Sequence, residues 1–257
     1  MSQAVVLNVE GSIATLQLNR PDCLNAMSVD MINELLEKLK EVASSDACIL
    51  IISGTGNAFS AGGDIKTLLQ DADEEAFDRV MNTINEMIMT LYALPKLVIS
   101  AIHGPAAGLG FSFALAADYV IADRNSKVAM NFVNIGLIPD GGGHFFLKQR
   151  LGDAKAMHVI WDGKVYTSDE AFEMGLIDEV SECEAMESAS RKANEWLQKP
   201  VGAMIKTKKI IADSSRQHLL EILRMEKIAQ MKMRETVDHK EGICAFLEKR
   251  TPVFTGR

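Results

Sequence analysis

The chain reads as an α/β protein: a core of strands alternating with helices, followed by a helical extension. Three observations predict this. Short apolar runs alternate with helix-period segments up to about residue 122, glycine-rich turns follow two of those runs, and beyond residue 143 the pattern is almost wholly helical.

The elements follow in order. Val5–Val9 and Ile13–Leu18 alternate apolar and polar residues around Glu10-Gly11-Ser12, the signature of two strands joined by a tight turn. From the N-cap candidate Ser28, Met31, Leu35, Leu39 and Val42 recur at three- and four-residue intervals, predicting a helix to about residue 43. Cys48–Ser53 is a continuous apolar run, as in a strand covered on both faces. A glycine-rich loop, Gly54 to Asp64, comes next. Phe77, Val80, Ile84, Met87 and Leu91 mark an amphipathic helix stopped by Pro95. Leu97–Ile102 is a second buried strand, followed by the small-residue turn His103–Gly110, a helix over Phe111–Ala117 and a strand over Tyr119–Ala122. Helical segments are expected near 144–151, 153–161, 168–175, 185–198, 201–213, 216–234 and 238–248, with Lys199-Pro200 as a joint.

Composition narrows the function classes. The 257 residues are 47% hydrophobic and 24% charged, ordinary globular usage that excludes disorder and a disulfide framework. A formal net charge of −8 argues against a nucleic-acid binder, since an acidic surface repels phosphates. The charge is unevenly spread: residues 191–257 carry 15 Lys/Arg against 8 Asp/Glu, and residues 1–190 carry 12 against 27. A basic tail on an acidic body suits an anionic ligand or another subunit, or is a set of solvated helix faces. Four cysteines without CxxC spacing, no signal-like start and no apolar run of membrane length predict a cytoplasmic protein that contacts no membrane. The five histidines show no ligand spacing, so no metal or redox cofactor is expected.

The two glycine-rich turns are the most informative local feature. Small residues there let backbone N–H groups approach a ligand, and two such groups converging on one carbonyl oxygen make an oxyanion hole. Tight turns packed closely are the plainer reading. Neither turn completes the dinucleotide fingerprint, because Phe59 and Phe113 stand where the third glycine belongs, and no GK[ST] exists for a P-loop. Gly110-Phe111-Ser112-Phe113-Ala114 nearly matches a nucleophile elbow with Asp140 and His144 downstream, a remote serine-hydrolase reading through Ser112. Asp140, in an apolar glycine-rich loop, is either a desolvated general acid/base or the N-cap of the helix starting near His144. Asp64 has the context of a turn residue. Met81, Met87, Met89 and the Phe111–Phe113 region serve either as core or as the wall of an adaptable apolar pocket.

Taken together, Asn19-Arg20-Pro21 with Leu24-Asn25-Ala26, Phe59 through Ile65, Gly104 through Gly110 with Ala114 and Asp118, Gly136-Leu137-Ile138-Pro139 with Gly142-Gly143, and Glu241-Gly242 with Ala245 through Arg250 resemble the crotonase (enoyl-CoA hydratase/isomerase) superfamily over essentially the whole chain. The resemblance implies a crotonase-like spiral of ββα units (residues 1–195, holding the CoA-ester site) with a helical C-terminal region (196–257, for oligomerisation and CoA contacts). It also implies homotrimers or dimers of trimers and an acyl-CoA thioester substrate, CoA being part of the substrate and not a cofactor. The two oxyanion-hole N–H groups map to Gly63 and Leu109. The CoA-contacting stretches map to Cys23, Leu24 and Ala26 and to Ala61, Gly63, Asp64, Ile65 and Lys66, and the basic tail residue maps to Lys249. The two glutamates of the family's hydratases fall on Ser112 and Phe132, neither a carboxylate. Asp140 falls where several isomerases carry their working aspartate, and Leu137-Ile138-Pro139-Asp140 especially resembles the isomerases of aerobic phenylacetate degradation. An enoyl-CoA isomerase using Asp140 is therefore the leading expectation. A hydratase using Asp140 and a water, and a non-catalytic CoA-ester-binding or RNA-interacting member of the fold, are the alternatives.

Overall fold

A computed structural model describes residues 3–65 and 74–257. The predicted hairpin forms as β1 (Val5–Glu10) and β2 (Ile13–Leu18), antiparallel with Val5 opposite Leu18. Helix α1 (Val29–Ser44) starts at Ser28, whose hydroxyl accepts the Met31 N–H at 3.3 Å, and buries the predicted stripe Met31, Leu35, Leu39 and Val42. β3 (Ile49–Gly54), α2 (Glu74–Tyr92), β4 (Leu97–Ile102) and β6 (Tyr119–Asp123) continue the alternation, with the short β5 (Pro105–Ala107) and helix α3 (Leu109–Leu115) between β4 and β6. The remaining elements are β7 (Lys127–Ala129), α4 (Gly143–Asp162), β8 (Val165–Thr167), α5 (Ser168–Met174), β9 (Glu179–Ser181), α6 (Ala185–Leu197), α7 (Val201–Arg234) and α8 (Val237–Glu248).

The main sheet has the order β1-β2-β3-β4-β6-β9, parallel from β2 onward, and a second sheet has the order β5-β7-β8. Every residue of β3 and β4 is buried because both faces are covered. Leu50, Ile52, Val98 and Ile102 face the large core shared with α1 and α2. Ile49, Ile51, Leu97 and Ile99 face Ala185, Ala189 and Ala193 of α6. That two-sided burial is why these strands carry no polar alternation in the sequence.

Two departures from the sequence reading have local causes. Residues 201–234 form one helix instead of two, because no Gly or Pro interrupts residues 203–234, and Ser214 sits inside it with its hydroxyl donating to the Ile211 carbonyl at 2.7 Å. The three-residue strands β5, β7, β8 and β9 went unread, being too short to show a period. The expected break between 151 and 153 is a kink at Gly152 inside α4. The long α7 packs on α2 and α4, and α8 docks on the turn at Phe132–Ile135. A β-carbon on Gly242 would lie 2.6 Å from Ile135 Cα, so that docking is backbone against backbone. No helix among the described residues is long and apolar enough to cross a membrane.

Candidate active site

The loops leaving β3 and β4 are stitched together by main-chain bonds. Phe59 N–H donates to His103 C=O (2.8 Å), Ser60 N–H to Pro105 C=O (3.1 Å) and Ala107 N–H to Ser60 C=O (3.0 Å). The first loop is also tied to residues 24–27, through Ala61 N–H to Leu24 C=O and Met27 N–H to Gly62 C=O, both 2.8 Å. Asn25, buried and with φ +54°, donates to the Thr55 and Ala58 carbonyls and accepts from Arg20 N–H. The Arg20 guanidinium bonds Asp64 at 2.9 Å and the Ala26 carbonyl. The Arg20–Ala26 motif is thus scaffold, holding the loop in position.

Gly62 has φ +96°, and a β-carbon there would sit 2.8 Å from the Ala107 carbonyl oxygen. The two turns touch backbone to backbone, which only a residue without a side chain permits. The adjacent pairing of Met27 with Gly63 uses the N–H groups of Met27 and Asp64 and not that of Gly63. Leu109 opens α3, where a first-turn N–H has no intrahelical acceptor. Neither amide has an acceptor among the described residues. Both residues line a cavity of about 710 Å³, together with Ala61, Ile65, Phe132 and Asp140.

Asp140 is the only carboxylate among the described residues of that wall. It is buried, and burial, reinforced by the neighbouring charge of Glu226, pushes its carboxyl up to about 7. Its Oδ2 accepts from Gln230 Nε2 at 3.1 Å, while Asp140 Oδ1 and Gln230 Oε1 have no partner among the described residues. The helix-cap alternative for Asp140 is answered by Glu226. From α7, its carboxylate accepts from Gly142 N–H (2.8 Å), His144 N–H (3.1 Å) and His144 Nδ1 (2.7 Å), capping α4 from outside. His239 forms another part of the wall. Its Nδ1 bonds the Ile135 carbonyl at 2.7 Å, and burial lowers its pKa. Arg234 lies over the Phe77 ring at 3.8 Å.

Of the other residues singled out in the sequence, Cys23, Leu24, Ala26 and Asp64 stay outside the cavity wall, in the segments that brace the first loop. Lys249 is the exposed, left-handed C-cap of α8 (φ +55°) and also lies outside the wall, whereas its neighbour Arg250 lines it. Lys66 falls outside the described residues. The Ser112 hydroxyl is buried against the Met130 sulfur at 3.7 Å, and His144 is turned to Glu226, so no nucleophile–base pair forms there. Met81 lines the cavity, whereas Met87, Phe111 and Phe113 are core. Glu226, Gln230 and His239 were not read from the sequence. Glu226 and Gln230 continue the buried Leu219–Leu223 stripe of α7, so two polar residues at core positions of a helical period were the available signal. No group of three His, Cys, Asp or Glu side chains among the described residues could hold a metal ion.

Comparison with known proteins identifies a family for the chain. Residues 8–257 match the Enoyl-CoA hydratase/isomerase family. The chain is 46% identical over 244 residues to YhaR of Bacillus subtilis (strain 168), itself described only as an enoyl-CoA hydratase/isomerase, covering 95% of this chain and 96% of that one. It is 35% identical to the 1,2-epoxyphenylacetyl-CoA isomerase of Escherichia coli (strain K12) over the full length of both. The crystal structure of an enoyl-CoA hydratase from Mycobacterium avium subsp. paratuberculosis K-10 superposes with a TM-score of 0.89 at 29% identity, covering 98% of this chain and 99% of that one.

Proposed function

We propose that this chain, which belongs to the enoyl-CoA hydratase/isomerase family of acyl-CoA enzymes, is an isomerase that moves a double bond along an acyl-CoA thioester. The observation that carries the reading is Asp140: one buried carboxylate, held near neutral pKa, beside two amides without acceptors among the described residues. The Gly63 and Leu109 N–H groups receive the thioester oxygen. Asp140 takes a proton from carbon 2 of a 3-enoyl ester, and the electron pair moves onto the thioester oxygen as a dienolate. Asp140 then returns the proton to carbon 4, leaving the double bond between carbons 2 and 3. Donors fixed in advance at the developing oxyanion stabilise the dienolate. A pKa near 7 lets one group act as base and then as acid at neutral pH. The Gln230 amide N–H, donating to Asp140 Oδ2 at 3.1 Å, steadies the ionised form and partly offsets the effect of burial.

Water addition by paired glutamates is not supported, since the two hydratase positions are the buried Ser112 and the aromatic Phe132. A hydratase using Asp140 alone requires that single carboxylate to hold and activate the attacking water in the cavity it lines. Incubation with 3-enoyl- and 2-enoyl-CoA esters, followed by product analysis, separates the two readings. Isomeric enoyl esters alone are expected, and 3-hydroxyacyl-CoA as the main product would overturn the isomerase in favour of the hydratase.

A further inference from the structure

The cavity wall carries one side-chain amide that this mechanism does not use. Gln230 bonds Asp140 and Asn134 donates to the Gly163 carbonyl at 3.0 Å, whereas the Asn131 side chain bonds nothing among the described residues. Asn131 stands immediately before the Phe132–Ile135 turn, where an amide commonly caps the first N–H groups, yet it makes no side-chain cap bond. The residue is half-buried and lines the cavity, and its amide atoms are open to solvent, so a ligand can reach them.

Sheet register sets its place. β7 pairs in parallel with β5, Ala129 opposite Ala107, and the Ala129 carbonyl accepts the Gly108 N–H at 3.0 Å. The chain leaving β7 therefore runs beside the chain leaving β5, and residues 131–132 fall against the Gly108-Leu109 turn. A β-carbon on Gly108 would lie 3.6 Å from Phe132 Cζ and 4.0 Å from Asn131 Oδ1. Being unbonded, the amide can turn either its oxygen or its NH2 group toward a ligand. The Leu109, Phe132 and Leu137 side chains that share this wall offer no donor.

We propose that Asn131 is a third hydrogen-bond donor to the thioester oxygen, alongside the Gly63 and Leu109 N–H groups. This rests on reading the cavity as the acyl-thioester site with those two amides as donors, but not on which reaction occurs there. A side-chain amide serves as an oxyanion donor as well as a backbone N–H does. Its bond strengthens as negative charge develops on the oxygen, so its effect falls on kcat more than on KM.

The test is infrared spectroscopy at pH 8 of a bound ester that no double-bond shift can consume, hexanoyl-CoA isotope-labelled at the carbonyl. Hydrogen bonds to that oxygen lower its stretching frequency. Binding to the wild type should lower it, and binding to Asn131→Ala or Asn131→Asp, which lack the N–H donor, should lower it less. A band at the same frequency in the wild type and both variants overturns the proposal. With a 3-enoyl ester, N131A should lose about 10²–10³-fold in kcat, the cost of one oxyanion donor, with a smaller change in KM. A loss confined to KM also overturns the third donor. Should the variants not fold, the wild-type Asn131 amide protons decide by NMR. They should move downfield with hexanoyl-CoA and not with hexyl-CoA, the thioether without the carbonyl oxygen, and equal positions with the two ligands overturn the proposal. Failure of the isomerase reading would show instead as unconverted 3-enoyl esters beside an intact infrared difference.

Discussion

Replacing Asp140 with Asn should make the protein more stable while disabling it. Burial and the Glu226 charge raise the Asp140 carboxyl from 3.8 to about 7. At about 1.36 kcal/mol per pK unit, the ionised form is disfavoured in the folded protein by up to about 4 kcal/mol. Between pH 4 and 7 the folded chain binds a proton at this site that the unfolded chain has released, so the contribution of Asp140 to stability falls as pH rises and levels off above 7. Asn keeps the shape without the charge. D140N should therefore exceed the wild type by roughly 2–4 kcal/mol at pH 8, and raise Tm by roughly 5–10 °C for a chain of this size. At pH 5 the gap should shrink to below about 2 kcal/mol, because much of the cost has not yet appeared. Urea unfolding of both proteins at the two pH values measures it. A D140N protein that is less stable than wild type at pH 8, or a gap independent of pH, would refute the desolvated-carboxylate argument.

Other perturbations test neighbouring parts of the account. The acidic limb of kcat/KM should have an apparent pKa near 7, activity falling as Asp140 is protonated; Glu226→Gln removes a charge that raises that pKa and should move the limb to lower pH. The same E226Q substitution weakens the cap on α4 and should cost about 1–3 kcal/mol in urea unfolding. Gly62→Ala forces a β-carbon to 2.8 Å from the Ala107 carbonyl at φ +96°, and should lower kcat by about 10²-fold through displaced oxyanion donors, with a smaller change in KM. Ser112→Ala should leave kcat/KM unchanged, and a fluorophosphonate should not label the wild-type serine, whose hydroxyl faces Met130.

What the sequence made legible follows from how locally each feature is determined. The α1 stripe and its Ser28 cap, the two-sided burial of β3 and β4, and the glycine turns are set by neighbours in the chain, and they form as expected. The family resemblance is likewise borne out by the matched profile and the superposed hydratase structure. The role of Asp140 was ambiguous because the group that takes over the cap, Glu226, comes from a helix far along the chain. Gln230 and His239 were missed for the same reason: each gains meaning only from a partner, Asp140 or Ile135, supplied by another element. Strands of three residues carry too few positions to declare a period.

The most direct measurement is the conversion of a 3-enoyl-CoA ester to its conjugated 2-enoyl isomer by the wild-type and D140N proteins at pH 8, followed by the ultraviolet absorbance of the conjugated thioester. The account predicts steady isomerisation by the wild type and a loss on the order of 10²–10⁴-fold in a well-folded D140N protein. Isomerisation at an undiminished rate in D140N would contradict it.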